Sequence, residues 1–132
     1  RPAQIEVAKL LYGIHGIERA DIEGRNRVNR RNVMAFDAPV MGFVFVHKDM
    51  LPWSAMDAGL MLQTLFLSAK SRGIDSCPVG ILATWREPVE AEFEIPEGYQ
   101  LITGFALGYA DPEAPINAMQ APRPPIQLLE GK

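Results

Sequence analysis

Apolar side chains recur at every third or fourth position over residues 4–13, which predicts an amphipathic helix near the start of the chain. Gly13 and Gly16 are expected to end it, because glycine readily adopts the left-handed conformation that closes a helix. A second helix is predicted over residues 17–33, where the sequence is polar and rich in arginine. A helix with so few apolar positions covers other elements and builds little core itself.

A third and much more apolar helix is predicted from Ser54 to Arg72. Ser54 and Asp57 have the spacing of an N-terminal capping box, and Gly73 is a good stop. Leucine, methionine and phenylalanine occur on nearly all sides of this helix, so we expect it to be buried centrally or at a subunit interface. A short fourth helix is predicted over Pro88–Phe93.

Three segments have the pattern of β-strands. They are Pro39–His47, Ile74–Leu82 and Tyr99–Tyr109. The first is a nearly continuous run of β-branched and aromatic residues, which is typical of a strand buried on both faces. The second contains a short strand followed by a turn at residues 78–80. Strands separated by helices in this way predict an α+β layered fold, with about three central strands flanked by helices.

The whole sequence of 132 residues fits one domain. We divide it into a helical segment (residues 1–33), the sheet core with the central helix (residues 34–111) and an extended, proline-rich tail (residues 112–132). Three strands are near the minimum for an independently stable sheet. A partner subunit is therefore expected to complete the core.

Composition and charge narrow the function classes. A net charge of −3 argues against a nucleic-acid or anionic-membrane partner, although an arginine-rich stretch at residues 19–31 leaves open a role near an anionic ligand. No apolar run reaches the roughly 18 residues that a membrane-spanning helix needs. No signal peptide is expected at the start. Cys77 has no second cysteine to pair with, which favours a reducing, cytoplasmic location.

No group of side chains predicts a catalytic or metal site. His15 and His47 are far apart in the sequence and lack further ligands. Cys77 has no visible base partner and is expected to be a small core residue. Gly80 permits two interpretations, a simple turn glycine or a backbone N–H presented to a cofactor. Gly104 and Gly108 indicate a bulge or a close approach within their strand.

Four motifs in order resemble the C-terminal part of the FMN-dependent nitroreductase family. They are LYGIHGIERAD, RNVMAFDAPVMGFVFVHKDM, WSAMDAGLMLQTLFLSAKSRGIDSCPVG and IPEGYQLITGFALGYADPEAPIN. The resemblance implies the layered nitroreductase fold, incomplete relative to the family, and a homodimer formed around the Ser54–Arg72 helix. It also implies bound FMN, NAD(P)H as the reductant, and a nitroaromatic, quinone or similar small aromatic acceptor.

The resemblance further implies site residues. Pro78, Val79 and Gly80 would line one face of the flavin ring with the Gly80 N–H towards N5, and Arg123 would contact the FMN phosphate. The family's early Arg-Ser segment and its Pro-Ser-x-x-Asn-x-Gln-Pro-Trp region are absent from this sequence, so weak FMN binding is expected. The alternative is a truncated, flavin-free dimeric remnant that acts as a binding or structural module.

Overall fold

A computed structural model describes residues 2–123, 125, 126 and 128. Its helices and strands follow in the order α1 (Pro2–Ile14), α2 (Ile22–Val33), β1 (Val40–His47), α3 (Trp53–Lys70), β2 (Asp75–Val79), α4 (Glu87–Glu92) and β3 (Tyr99–Gly108). The chain divides into two compact units. One is Arg27–Ala110, and the other combines Arg1–Asn26 with Asp111–Lys132.

The unit Arg27–Ala110 is built on a three-stranded antiparallel sheet in the order β1-β3-β2. β3 lies in the centre, and both of its neighbours run antiparallel to it. The register against β1 shifts between Val44 and Phe45, which makes a bulge in the facing strand. The predicted α+β fold with about three strands flanked by helices is therefore confirmed.

Each face of this sheet has its own apolar cluster. On one face α3 packs its buried residues against alternate residues of β1; the members are Val44, Val46, Ala58 and Leu62. On the other face the turn after β2 and α4 close over the sheet; the members are Ala35, Val79, Leu82, Val89, Leu101 and Ala106. β1 thus contributes side chains alternately to two layers, as period-two geometry requires, whereas the bulge in β3 shifts the alternation and places Leu101 and Ala106 on the same face. β1 is packed on both faces as predicted, but it lies at the edge of the sheet.

In the unit that combines the chain's two ends, α1 continues through Gly13 to Ile14. Gly16, at φ 63°, closes the helix, because the Ile17 N–H reaches back to the Tyr12 carbonyl at 2.8 Å. The turn Pro115–Ala118 contacts α1 within this unit.

Two boundary predictions were wrong. α2 begins at Ile22 and not at residue 17, because the Asp21 carboxylate accepts the Gly24 N–H at 2.7 Å and caps the helix there. α3 begins at Trp53, with Pro52 at the N-cap position and no side-chain cap. The predicted capping box at Ser54 does not form, since Ser54 already lies within the first turn.

Candidate functional site

The predicted flavin-facing residues lie at the end of β2. Pro78 and Val79 are its last two residues, and Gly80 opens a 3-10 turn, Gly80–Ala83, so the predicted three-residue turn begins two residues later than expected. Val79 as a whole residue is only 1% exposed and belongs to the core, whereas Pro78 and Gly80 are exposed. Of the three predicted residues, Pro78 and Gly80 are therefore the ones that a ligand can reach.

Two buried side chains fix the position of Gly80. Val79 precedes it and Leu82 follows it, and these are the largest fully buried side chains among the described residues. Leu82 lies directly over Gly104 of β3, where a Cβ atom would overlap the Leu82 Cδ1 atom. The close approach predicted at Gly104 is confirmed, and it explains the glycine, because any side chain there would displace the turn.

The surroundings of Gly80 are open. A Cβ atom built on it would meet nothing within 4 Å. As the first residue of the turn, its N–H has no partner within that turn. An exposed glycine whose Cβ side is open lets a flat ligand approach its backbone closely.

A charged network holds the other end of β2. Asp75 accepts a hydrogen bond from Lys70 Nζ at 2.6 Å and another from the Ala110 N–H at 3.0 Å. The hydrogen bond from Lys70, followed by that from Ala110, lowers the pKa of Asp75 below its ordinary value of 3.8. The end of α3, the start of β2 and the end of β3 are thus tied together.

Cys77 lies between these two points of β2 and is half-buried. Its Sγ is 3.6 Å from the Pro78 carbonyl oxygen. Burial raises the pKa of the Cys77 thiol above 9.0, so it stays protonated at neutral pH and is a poor nucleophile. Its side chain packs against the core cluster, in agreement with the interpretation from the sequence.

Arg123 lies in the extended tail and is exposed. It belongs to the unit that combines the two ends of the chain, whereas residues 78–80 belong to Arg27–Ala110. The assignment of Arg123 to an FMN phosphate stays a prediction.

Sequence reasoning missed an apolar pocket on the face of the sheet opposite α3. Its volume is about 270 Å³, and it is lined by residues from α2, β1, the turn after β2, and α4, including Val33, Met41, Phe43, Trp85, Glu92 and Phe93. The Phe43 and Phe93 rings lie 5.5 Å apart at its wall. These residues are far apart in the sequence, so periodicity within one element could not reveal the pocket.

Two other site classes were searched for among the described residues. No group of three or more histidine, cysteine, aspartate or glutamate side chains is arranged to hold a metal ion. In the same part of the chain, no helix combines the length and apolarity that crossing a membrane requires.

Residues 3–109 match the family model described as "Nitroreductase family". The chain is 36% identical over 124 residues to a 4-nitrobenzoate reductase from Pseudomonas putida, covering 93% of this chain and 54% of that relative. It is 35% identical to a chloronitrobenzene nitroreductase from Comamonas testosteroni, covering 87% of this chain and 50% of the relative. The chain therefore spans about half the length of these curated relatives.

Solved structures show the same relationship. The FMN- and NADPH-dependent nitroreductase NfnB from Sphigopyxis sp. strain HMH superposes with a TM-score of 0.91 at 33% identity, covering 99% of this chain and 60% of that chain. The FMN-dependent nitroreductase NfnB from Mycobacterium smegmatis, in complex with NADPH, superposes with a TM-score of 0.86 at 29% identity. The match covers 94% of this chain and 55% of that chain.

Proposed function

This chain belongs to the nitroreductase family, and from that membership we propose that it acts in a flavin-dependent oxidoreductase that reduces nitroaromatic, quinone or similar acceptors with NAD(P)H. The observation that carries the proposal is the end of β2, where the buried residues Val79 and Leu82 hold the exposed Gly80 in place.

The residues at the end of β2 fit a flavin ring. Pro78 and Gly80 are exposed, and the missing Cβ of Gly80 leaves room for a planar group to approach its N–H. FMN bound there would supply the transfer of hydride from a nicotinamide to the acceptor. Gly80 would direct its N–H towards N5, and Pro78 would cover one face of the ring. The Arg123 guanidinium would contact the phosphate in bidentate fashion.

The acceptor class follows from the relatives. Two of them are named as reductases of 4-nitrobenzoate and of chloronitrobenzene, and solved relatives are described as FMN- and NADPH-dependent. Side chains that move protons are not needed in the proposed site, because the cofactor carries the chemistry and the protein orients it. We propose the same acceptor class here, and a cytoplasmic location.

A homodimer belongs to the same proposal. Leu60 and Leu67 of α3 are 64% and 63% exposed, and both lie on the side of the helix away from Leu62. Apolar side chains in a row on one helix face mark an interaction surface. This stripe supports pairing through α3 with a second copy of the chain.

The direct test is titration of the full chain with FMN and, separately, with riboflavin, which lacks the phosphate. FMN binding is expected to be weak, so we expect a bound-flavin absorbance band at saturating FMN and slow NADPH oxidation in the presence of a nitrobenzoate. Arg123→Ala should weaken FMN binding by about tenfold or more, because a charge-assisted hydrogen bond contributes roughly 1.5–3 kcal/mol, and should leave riboflavin binding unchanged. Protein that takes up neither flavin would contradict the proposal and favour a flavin-free binding or structural module.

A further inference from the structure

The arginine-rich stretch of the sequence lies largely in α2 and has no part in the proposed flavin site. α2 contains four arginines and one glutamate, so its net charge is +3, whereas the whole chain carries −3. Three of these arginines share one face of the helix, because they are spaced three and four residues apart. They are Arg27, Arg30 and Arg31, called the arginine cluster below. All three are exposed, and they belong to the same compact unit as Gly80.

Neither the helix nor a neighbouring carboxylate accounts for the whole cluster. Arg30 and Arg31 lie in the last turn, where the helix dipole favours positive charge, but Arg27 lies earlier and like charges at this spacing repel each other. Arg31 Nη2 is 3.9 Å from Asp37 Oδ2 at an exposed position, so this pair is weak. Within the ranges that the structure describes, neither Arg27 nor Arg30 takes part in an ion pair. The cluster therefore offers positive charge to an anionic ligand.

The cluster lies beside the turn that positions Gly80. Val33 follows Arg30 by three residues on the same side of α2, and it lines the apolar pocket together with Leu82. Leu82 is part of the turn Gly80–Ala83. The end of α2 and the proposed flavin site are therefore neighbours within one compact unit.

Other cations of this unit already have partners. Lys70 and Arg86 each pair with a carboxylate, at 2.6 and 3.6 Å. Arg72 Nη1 donates a hydrogen bond to the Ser68 carbonyl oxygen at 2.9 Å. The arginine cluster is thus a place near Gly80 where several guanidinium groups lie close together without strong carboxylate partners.

We propose that the arginine cluster binds the 2′-phosphate of NADPH and thereby makes this chain select NADPH over NADH. The inference rests on the proposed function, in which a nicotinamide coenzyme passes hydride to a flavin at Gly80. Because the nicotinamide ring must lie against the flavin, the phosphates of the coenzyme extend away from Gly80 over the neighbouring surface. A guanidinium group presents its N–H donors in a rigid plane and binds phosphate oxygens in bidentate fashion. NADH lacks the 2′-phosphate, so it cannot make these contacts.

The first test needs no flavin. Calorimetry on the full chain compares adenosine 2′,5′-bisphosphate with 5′-AMP, which differs from it by the absence of the 2′-phosphate. We expect the bisphosphate to bind at least about tenfold more tightly, because it adds charge-assisted hydrogen bonds to the cluster. Added salt should weaken its binding, since the cluster is exposed.

Single substitutions then identify the residues. Arg27→Ala and Arg30→Ala should each weaken binding of the bisphosphate about tenfold and leave that of 5′-AMP unchanged. Arg30→Lys should restore only part of the loss, because lysine keeps the charge without the bidentate geometry. Alanine is the best helix former, so circular dichroism should show that α2 is retained. Arg72→Ala is the matched control, because it removes one positive charge just after α3, on the opposite face of the sheet.

The second test uses flavin-loaded protein and steady-state kinetics. Arg27→Ala and Arg30→Ala should raise the KM for NADPH about tenfold, with the KM for NADH and the value of kcat unchanged, because the cluster contacts no reacting atom. A chain that takes up no flavin but binds the bisphosphate through the cluster would contradict the proposed function and support this inference. Flavin reduction with the same parental KM for NADPH and NADH would do the reverse.

Three results of the binding experiments would also overturn the inference. In the first, the bisphosphate does not bind or binds no more tightly than 5′-AMP. In the second, Arg72→Ala weakens binding as much as Arg30→Ala does, which would make the attraction a general effect of charge. In the third, the cluster variants weaken binding of FMN and not of the bisphosphate, which would assign the cluster to the flavin phosphate.

Discussion

Gly80 is a position where the backbone, and not a side chain, is expected to act. A Cβ atom there meets nothing within 4 Å, and its φ lies outside the positive range, so the fold places no demand on glycine. We expect Gly80→Val to leave the free energy of unfolding within about 0.5 kcal/mol of the parent value. In the flavin-loaded protein the same variant should slow hydride transfer at least about tenfold, because the added methyl groups separate the N–H from the ring. Stopped-flow reduction and thermal unfolding measure the two effects.

Gly104 provides the contrasting control. A Cβ atom there overlaps Leu82 and lies 3.1 Å from the Gly42 carbonyl oxygen. Gly104→Ala should therefore cost about 1–3 kcal/mol of stability, as expected for overpacking. A Gly80→Val variant with parental rates of flavin reduction would remove Gly80 from the proposed site.

At the scale of elements, α3 uses only part of its apolar surface within the chain. Ala58, Leu62 and Ala69 face the sheet and are buried. A row of exposed apolar residues follows the opposite side: Trp53, Met56, Leu60 and Leu67. Phe66 also packs inward, with its ring edge-to-face against Phe105 at 6.0 Å between centroids. The two sides of the helix can therefore be tested separately.

We expect the double variant Leu60→Asp with Leu67→Asp to dissociate the proposed homodimer while the helical signal in circular dichroism is retained. The reason is that two carboxylates would have to be buried without partners in the interface. Leu62→Ala should instead destabilise each subunit by about 2–5 kcal/mol, as for a cavity in the core. Sedimentation velocity distinguishes the two effects. A parent chain that stays monomeric at every concentration would contradict the dimer.

At the scale of the whole molecule, Asp75 links stability to pH. Its pKa is lowered in the folded state, so folded protein holds that proton less tightly than unfolded protein does. The stabilising contribution is present above the ordinary value of 3.8 and is lost as the pH falls below it through the folded value.

Asp75→Asn should therefore make stability less dependent on pH in acid, measured as the urea midpoint from neutral pH to below 3.8. Lys70→Met should have a similar effect, because it removes the first partner of the Asp75 carboxylate. The carboxylate is partly exposed, so added salt should reduce both effects. A variant with the parental acid slope would show that this network does not stabilise the fold.

The sequence by itself determined much about this protein. Local patterns predicted the three strands of the described residues and the helices around them, and ordered motifs indicated the family and pointed to residues 78–80. Such features depend on neighbours along the chain, where periodicity and turn chemistry act directly. The sequence predicted the helix starts less well, because the start of α2 depends on one hydrogen bond, from the Gly24 N–H to the Asp21 carboxylate.

Only the tertiary structure decided which side of each element faces inward. Val79 is buried while its neighbours Pro78 and Gly80 are exposed, because β2 pairs with β3 and the turn residue Leu82 closes over Gly104. The apolar residues of α3 occur on all sides of the helix, so the sequence did not predict which side faces inward. Packing against the sheet determines that side. The apolar pocket is formed by residues far apart in sequence, and the packing of distant segments is not encoded in any local period.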